Sequence, residues 1–338
     1  MTPRLPLLAC ALLLTTGASQ EPADPLTYVN PELRQVAAAI LHPAKGSPSY
    51  TPPKPGPLPA GVIERQLAPR DGQPPVTVYV IDSRAGEEGA KLPRGAILYI
   101  HGGGFIGGDA RQNLGALKAL AVRLDCVIVS VQYRLATTAP FPAPMEDSYT
   151  ALKWLHDDAQ ALGVDRERII VVGESAGGGL AAMLTLAARD RKEVAVAFQA
   201  LVYPMLDDRT GTSRPVPGHI GRLIWTPASN RAGWRALLGR EPGGEDVSAG
   251  SVPARAANLS GLPPTFIEVG SIDLFAAEDI EFARRLIDVG VPTELLVVPG
   301  AFHGFQLIVP NAPVSRQFTG ALEAALARRL APQPAGGG

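Results

Sequence analysis

The chain has 338 residues, and its 31 Lys and Arg against 32 Asp and Glu exclude the broad basic surface that nucleic-acid binding needs. Hydrophobic residues at 46% and charged residues at 19% exclude a disordered chain and specify a globular one with a large core. Only two cysteines, Cys10 and Cys126, exclude a disulfide scaffold or a cysteine zinc site.

At the N-terminus, Arg4, the apolar run 5–14 and the small or polar residues Thr15 to Ser19 have the layout of a secretory signal peptide. Cleavage is expected after Ala18 or Ser19, giving an exported chain. No apolar run reaches the roughly 20 residues of a membrane helix, so no transmembrane span is expected. Residues 20–60 are Pro-rich. A helix opens at Pro31, a favoured first-turn position, and runs to Leu41. An extended linker follows to residue 60.

From residue 61 the pattern changes. Segments 62–67 and 76–81 alternate apolar and polar residues, as a half-buried antiparallel pair does. Segments 96–100, 127–131, 169–172, 196–202, 265–269 and 295–298 are nearly continuous apolar runs, suited to strands buried on both faces of a parallel sheet. Helical stretches at 112–124, 145–162, 176–188 and 278–289 lie between them. A last one at 315–330 precedes a Pro/Gly tail at 331–338, expected to be flexible. This alternation predicts an α/β fold over 61–330, with about eight mostly parallel strands and helices on both faces. Residues 214–244, rich in Pro, Gly and Trp, interrupt it and read as an insertion over one end of the sheet. In such sheets ligands bind beyond the carboxyl ends of the strands.

Just past segment 169–172 stands Gly173-Glu174-Ser175-Ala176-Gly177, opening a helix. The bare G-x-S-x-G pattern arises about 0.16 times by chance in this composition, so its strand–helix setting carries the argument. There the serine sits on a tight turn with its hydroxyl exposed, and the flanking glycines let strand and helix approach. Past segment 96–100 comes His101-Gly102-Gly103-Gly104, expected only about 0.006 times by chance. Consecutive glycines aim backbone N–H groups inward, as an oxyanion requires; the expected donors are Gly103, Gly104 and Ala176. His101 reads as a structural residue bonded to the loop backbone. A phosphate cradle is disfavoured, since no Lys-Ser/Thr follows the glycines.

A serine nucleophile needs a base, and the base an orienting carboxylate. Of the five histidines (His42, His101, His156, His219, His303), His303 lies in a loop just past segment 295–298. Asp273 stands just past segment 265–269, whereas Glu278 and Asp279 fall in the following helix and read as first-turn charges. The order Ser175, Asp273, His303 is that of α/β-hydrolases. Phe105 and Trp225 are candidate substrate contacts, with core packing the competing role for each. Cys126 reads as a buried small hydrophobe.

On these residues, together with Tyr133-Arg134-Leu135-Ala136 and Phe141-Pro142, the chain resembles the bacterial hormone-sensitive-lipase-like esterases of the α/β-hydrolase fold, from about Leu58 to the C-terminus. The resemblance implies a carboxylic ester hydrolase that needs no cofactor or metal. It also implies a small helical cap built from the N-terminal extension and an insertion at about 205–240. Two segments depart from the family: Thr137-Thr138-Ala139-Pro140 replaces Pro-Glu-His before Phe-Pro, and Leu274-Phe275-Ala276-Ala277-Glu278 replaces Pro-Leu-Arg-Asp-Glu. The expected activity is hydrolysis of short- to medium-chain esters, small molecules being the only partners, by a monomer or homodimer. An amidase or peptidase on the same fold and a non-catalytic binding protein are the alternatives.

Overall fold

The computed structural model describes residues 24–43, 56–70, 72–84 and 93–332. The expected signal peptide, Cys10, most of the Pro-rich linker and residues 333–338 of the tail lie outside the described residues.

Eight strands form one sheet: β1 (Val62–Leu67), β2 (Val76–Asp82), β3 (Arg94–Ile100), β4 (Val127–Gln132), β5 (Val164–Glu174), β6 (Phe198–Val202), β7 (Thr265–Gly270) and β8 (Thr293–Val298). Their spatial order is β1-β2-β4-β3-β5-β6-β7-β8. β2 runs antiparallel to both β1 and β4, and every other neighbouring pair is parallel. The alternating segments therefore make the antiparallel edge, and the continuous apolar runs the parallel centre. Every residue of β3, β6 and β7 is buried, as strands covered on both faces must be.

One face is covered by α3 (Ala143–Asp157), α4 (Ala176–Arg191) and α6 (Ala276–Asp288); the other by α2 (Leu114–Leu124) and α7 (Pro313–Leu330). β5 begins five residues before its apolar run. The register with β3 slips between Arg94 and Ala96, so the polar residues Asp165 to Arg168 are accommodated at an irregularity of the ladder. α3 ends five residues earlier than its periodicity suggests. The chain must turn to enter β5, and it does so through successive turns ending at Gly163, where φ is +63°. The stretch expected as one helix from Pro31 is a 3-10 turn, Pro31–Leu33, followed by α1 (Arg34–Leu41).

The connection from β6 to β7 runs over 203–264, longer than the insertion read from the sequence. It holds α5 (Pro227–Leu238), capped by the Thr226 hydroxyl on Ser229 N–H. Trp234 and Leu237 of α5 sink into the main core, while Leu223 joins Val29, Leu33 and Phe302 in a separate cluster at the carboxyl end of the sheet. The N-terminal segment and this connection thus meet over the strand ends.

Candidate active site

Four loops at the carboxyl ends of β3, β5, β7 and β8 converge on one point. At the end of β5 the chain turns so sharply that Ser175 adopts φ +56° and ψ −120°. Such a conformation costs an L-residue about 1–3 kcal/mol and is held by its surroundings. Ser175 N–H donates to Val202 O at 2.9 Å, and Ser175 O accepts from Met205 N–H at 3.0 Å. The glycines of the motif have a steric cause. A Cβ on Gly173 would lie 2.1 Å from Gly177 O, and one on Gly177 would lie 2.1 Å from Ile100 O.

The loops after β7 and β8 are stitched to each other. Ser271 N–H donates to Val298 O, Ile272 N–H to Ala301 O, and Gly300 N–H to Ser271 Oγ. Asn30 N–H of the N-terminal segment reaches Gly300 O at 2.8 Å. This frame sets His303 between two partners: Nδ1 lies 2.8 Å from Asp273 Oδ2, and Nε2 lies 3.0 Å from Ser175 Oγ. An ionised carboxylate only accepts, so Nδ1 carries the proton and Nε2 is free to accept from the serine hydroxyl. Asp273 Oδ1 takes the Phe275 N–H at 3.0 Å, which fixes the carboxylate plane. Tyr203 and Phe275 meet the imidazole edge-on, at 4.7 Å and 5.3 Å between centroids. Asp273 is 1% exposed, Ser175 and His303 7% each, so the relay is shielded yet open at the serine.

The glycine loop after β3 faces the same hydroxyl. Gly103 has φ +127° and Gly104 φ +62°, conformations that favour glycine. Among the described residues, neither N–H has an acceptor. Ala176 N–H, first in α4, has no intrahelical acceptor either. Three unpaired donors beside a serine can hold a developing oxyanion. His101 props this loop: its Nδ1 lies 2.8 Å from Gly102 O, and its ring stacks on Tyr133 at 4.2 Å. Burial lowers its pKa from 6.5 to about 4, so it is neutral at pH 7. Tyr133 donates to His101 O at 3.0 Å, and Arg134 forks onto Asp147 of α3. The Tyr133-Arg134 motif is thus a buttress.

Trp225 lies over Gly104, where a Cβ would come within 2.1 Å of its ring. It lines a cavity of about 390 Å³ with Ser175, Glu174, Tyr203, Ile224 and Leu307 among others. Phe105, expected at the substrate, is absent from that wall. It is fully buried and meets Trp234 edge-to-face at 5.2 Å. The left-handed turn at Phe105 itself, φ +65°, aims the ring into the core rather than the cavity. Glu278 is buried, and its carboxylate accepts from Leu206 N–H and Asp207 N–H. It ties α6 to the connection after β6 instead of serving as an exposed first-turn charge. Tyr203, Ile224 and Leu307 were not singled out from the sequence. Tyr203 stands one residue past β6, so the strand-end rule could have found it; the other two lie in segments without periodicity. Among the described residues no group of three or more His, Cys, Asp or Glu could hold a metal ion.

A serine, an imidazole and a carboxylate so linked at the strand ends of an α/β sheet define the serine-hydrolase class. A profile of the alpha/beta hydrolase fold matches residues 97–307. Esterase LipI of Mycobacterium tuberculosis is 32% identical, over 87% of this chain and 82% of that protein. Carboxylesterase NlhH of the same organism is 32% identical, over 90% and 92%. Among solved structures, a bacterial heroin esterase superposes with TM-score 0.77 at 33% identity, over 91% of this chain and all of that one. The chain belongs to the α/β-hydrolase-fold family, in its hormone-sensitive-lipase-like esterase branch.

Proposed function

We propose that the protein is a serine carboxylesterase acting through an acyl-enzyme. Ser175 attacks the ester carbonyl while His303 Nε2 takes its proton, and Asp273 stabilises the imidazolium. Gly103, Gly104 and Ala176 N–H groups hold the tetrahedral oxyanion. His303 then protonates the departing alcohol, and water, activated by the same imidazole, releases the acid and restores Ser175. The observation that carries this reading is the continuous pair of hydrogen bonds from Ser175 Oγ through His303 to Asp273.

The segments 24–43 and 203–264 act as a cap that shapes the cavity. A volume of about 390 Å³ sits near the lower end of small-molecule sites, which supports short to medium acyl chains. Residues 1–19 direct export, and the mature chain works as a monomer or homodimer on small esters. A rate series on nitrophenyl esters from acetyl to long-chain, with matched anilides, tests the activity. The expected result is an optimum at short to medium chains and slow anilide turnover. An optimum beyond about ten carbons would point to a lipase, and preferred anilide cleavage to an amidase.

A further inference from the structure

Two carboxyl groups, one in the cavity wall and one behind it, have no Lys or Arg partner among the described residues. Glu174, the residue before Ser175, lines the cavity wall. Strand register sets Glu174 beside Val202, and Val202 beside Glu268 of β7. Residues in register on parallel strands share a face, so Glu268 stands behind Glu174 with one strand between them. Glu268 is wholly buried, and neither of its carboxyl oxygens has a hydrogen-bond partner. Each carboxyl is pushed up by burial, Glu174 to about 7, and Glu268 further by the Glu174 charge. Among the described residues no Lys or Arg forms an ion pair with either, and none lines the cavity. His101 on the same wall is neutral, and the other histidine there, His303, is held between Asp273 and Ser175. Burial disfavours the ionised form of both carboxyls, and a cation bound against Glu174 would favour it.

The rest of the cavity fits one. Trp225 and Tyr203 are among its lining residues, and aromatic rings attract ammonium groups. Tyr99 accepts from Asn113 Nδ2 at 2.8 Å, and both Asn113 and Glu174 line the cavity. We propose that the cavity selects esters carrying a positively charged ammonium group, with Glu174 as counter-charge and Trp225 and Tyr203 as aromatic wall. The assignment rests on the ester-hydrolase reading and adds a substrate class to it. Because Glu174 adjoins the nucleophile, the ammonium belongs a few bonds from the scissile carbonyl, as in an aminoalkyl ester.

The test compares acetylcholine with its uncharged carbon isostere, dimethylbutyl acetate, at about pH 8 and low salt, with nitrophenyl acetate as activity control. The expected kcat/KM ratio favours the cation by about tenfold, falls toward unity in Glu174→Gln and persists in Glu174→Asp. A wild-type ratio at or below one overturns the proposal, as does a ratio unchanged in Glu174→Gln. Tetramethylammonium should also inhibit wild-type hydrolysis of nitrophenyl acetate competitively, a readout independent of whether the variants fold; no inhibition counts against the proposal. Hydrolysis of both uncharged esters without cation preference leaves the esterase reading standing. Failure on all three esters removes that reading itself.

Discussion

Gly104→Ala is the sharpest probe of how the cap and the glycine loop depend on each other. The new methyl would lie 2.1 Å from one Trp225 ring carbon, 2.7 Å from a second and 3.0 Å from a third. Ordinary contact begins at 3.4 Å, so ring and loop must separate by about 1.3 Å. The ring cannot retreat freely: Trp225 Nε1 donates to Asn230 Oδ1 at 3.3 Å, and Asn230 Nδ2 donates to Thr210 O at 2.8 Å. The residue also sits at φ +62°, where a side chain costs about 1–2 kcal/mol. Much of the shift must therefore fall on the loop that carries the Gly104 N–H. Loss of one oxyanion donor lowers kcat by about 10²–10³. We expect a fall of about 10² on nitrophenyl acetate, with thermal unfolding lowered by a few degrees, and partial recovery in Gly104→Ala/Trp225→Ala. A kcat within about threefold of wild type in the single variant would refute both the donor assignment and the wedge.

Phe105→Ala and Trp225→Ala should separate core from cavity. The first should destabilise by about 3–5 kcal/mol with little change in KM for short esters. The second should shift KM and acyl-chain preference; denaturant titration and a substrate series read the two effects. Glu174 gives a pH signature. With a pKa of 4.5 unfolded and about 7 folded, it costs stability increasingly as pH rises through that window. Glu174→Gln should therefore gain on wild type by up to about 3 kcal/mol between about pH 5 and about pH 8 in urea denaturation. A gap that stays constant with pH contradicts the buried-acid account. Burial pushes the Cys126 thiol up to about 12, so it should resist thiol reagents until the protein unfolds. Removal of residues 1–19, as proposed above, should leave one thiol to titrate in the denatured chain; two would show that Cys10 was retained.

Much of the site was legible because its chemistry coincides with topology. The runs 96–100, 169–172, 265–269 and 295–298 are apolar because both faces are covered, and the residue types that follow them stand where an open sheet places its ligands. His303 and Asp273 could be chosen over His156 and Glu278 on that ground alone. Side-chain direction was not legible. Phe105 adjoins the glycine loop in sequence, yet its positive φ turns it into the core. The cavity wall opposite, Ile224 and Leu307, comes from segments whose placement depends on packing against the N-terminal segment, which no local periodicity records. The early start of β5 is a matter of register, set by β3 rather than by the residues of β5.

The proposed chemistry stands on the Ser175 hydroxyl as nucleophile. Labelling of the purified protein with a fluorophosphonate, followed by peptide mass analysis, addresses it directly. The expected result is a single adduct on Ser175, loss of esterase activity in step with labelling, and no adduct or activity in Ser175→Ala. Activity retained in that variant, or an adduct on a different residue, would contradict it.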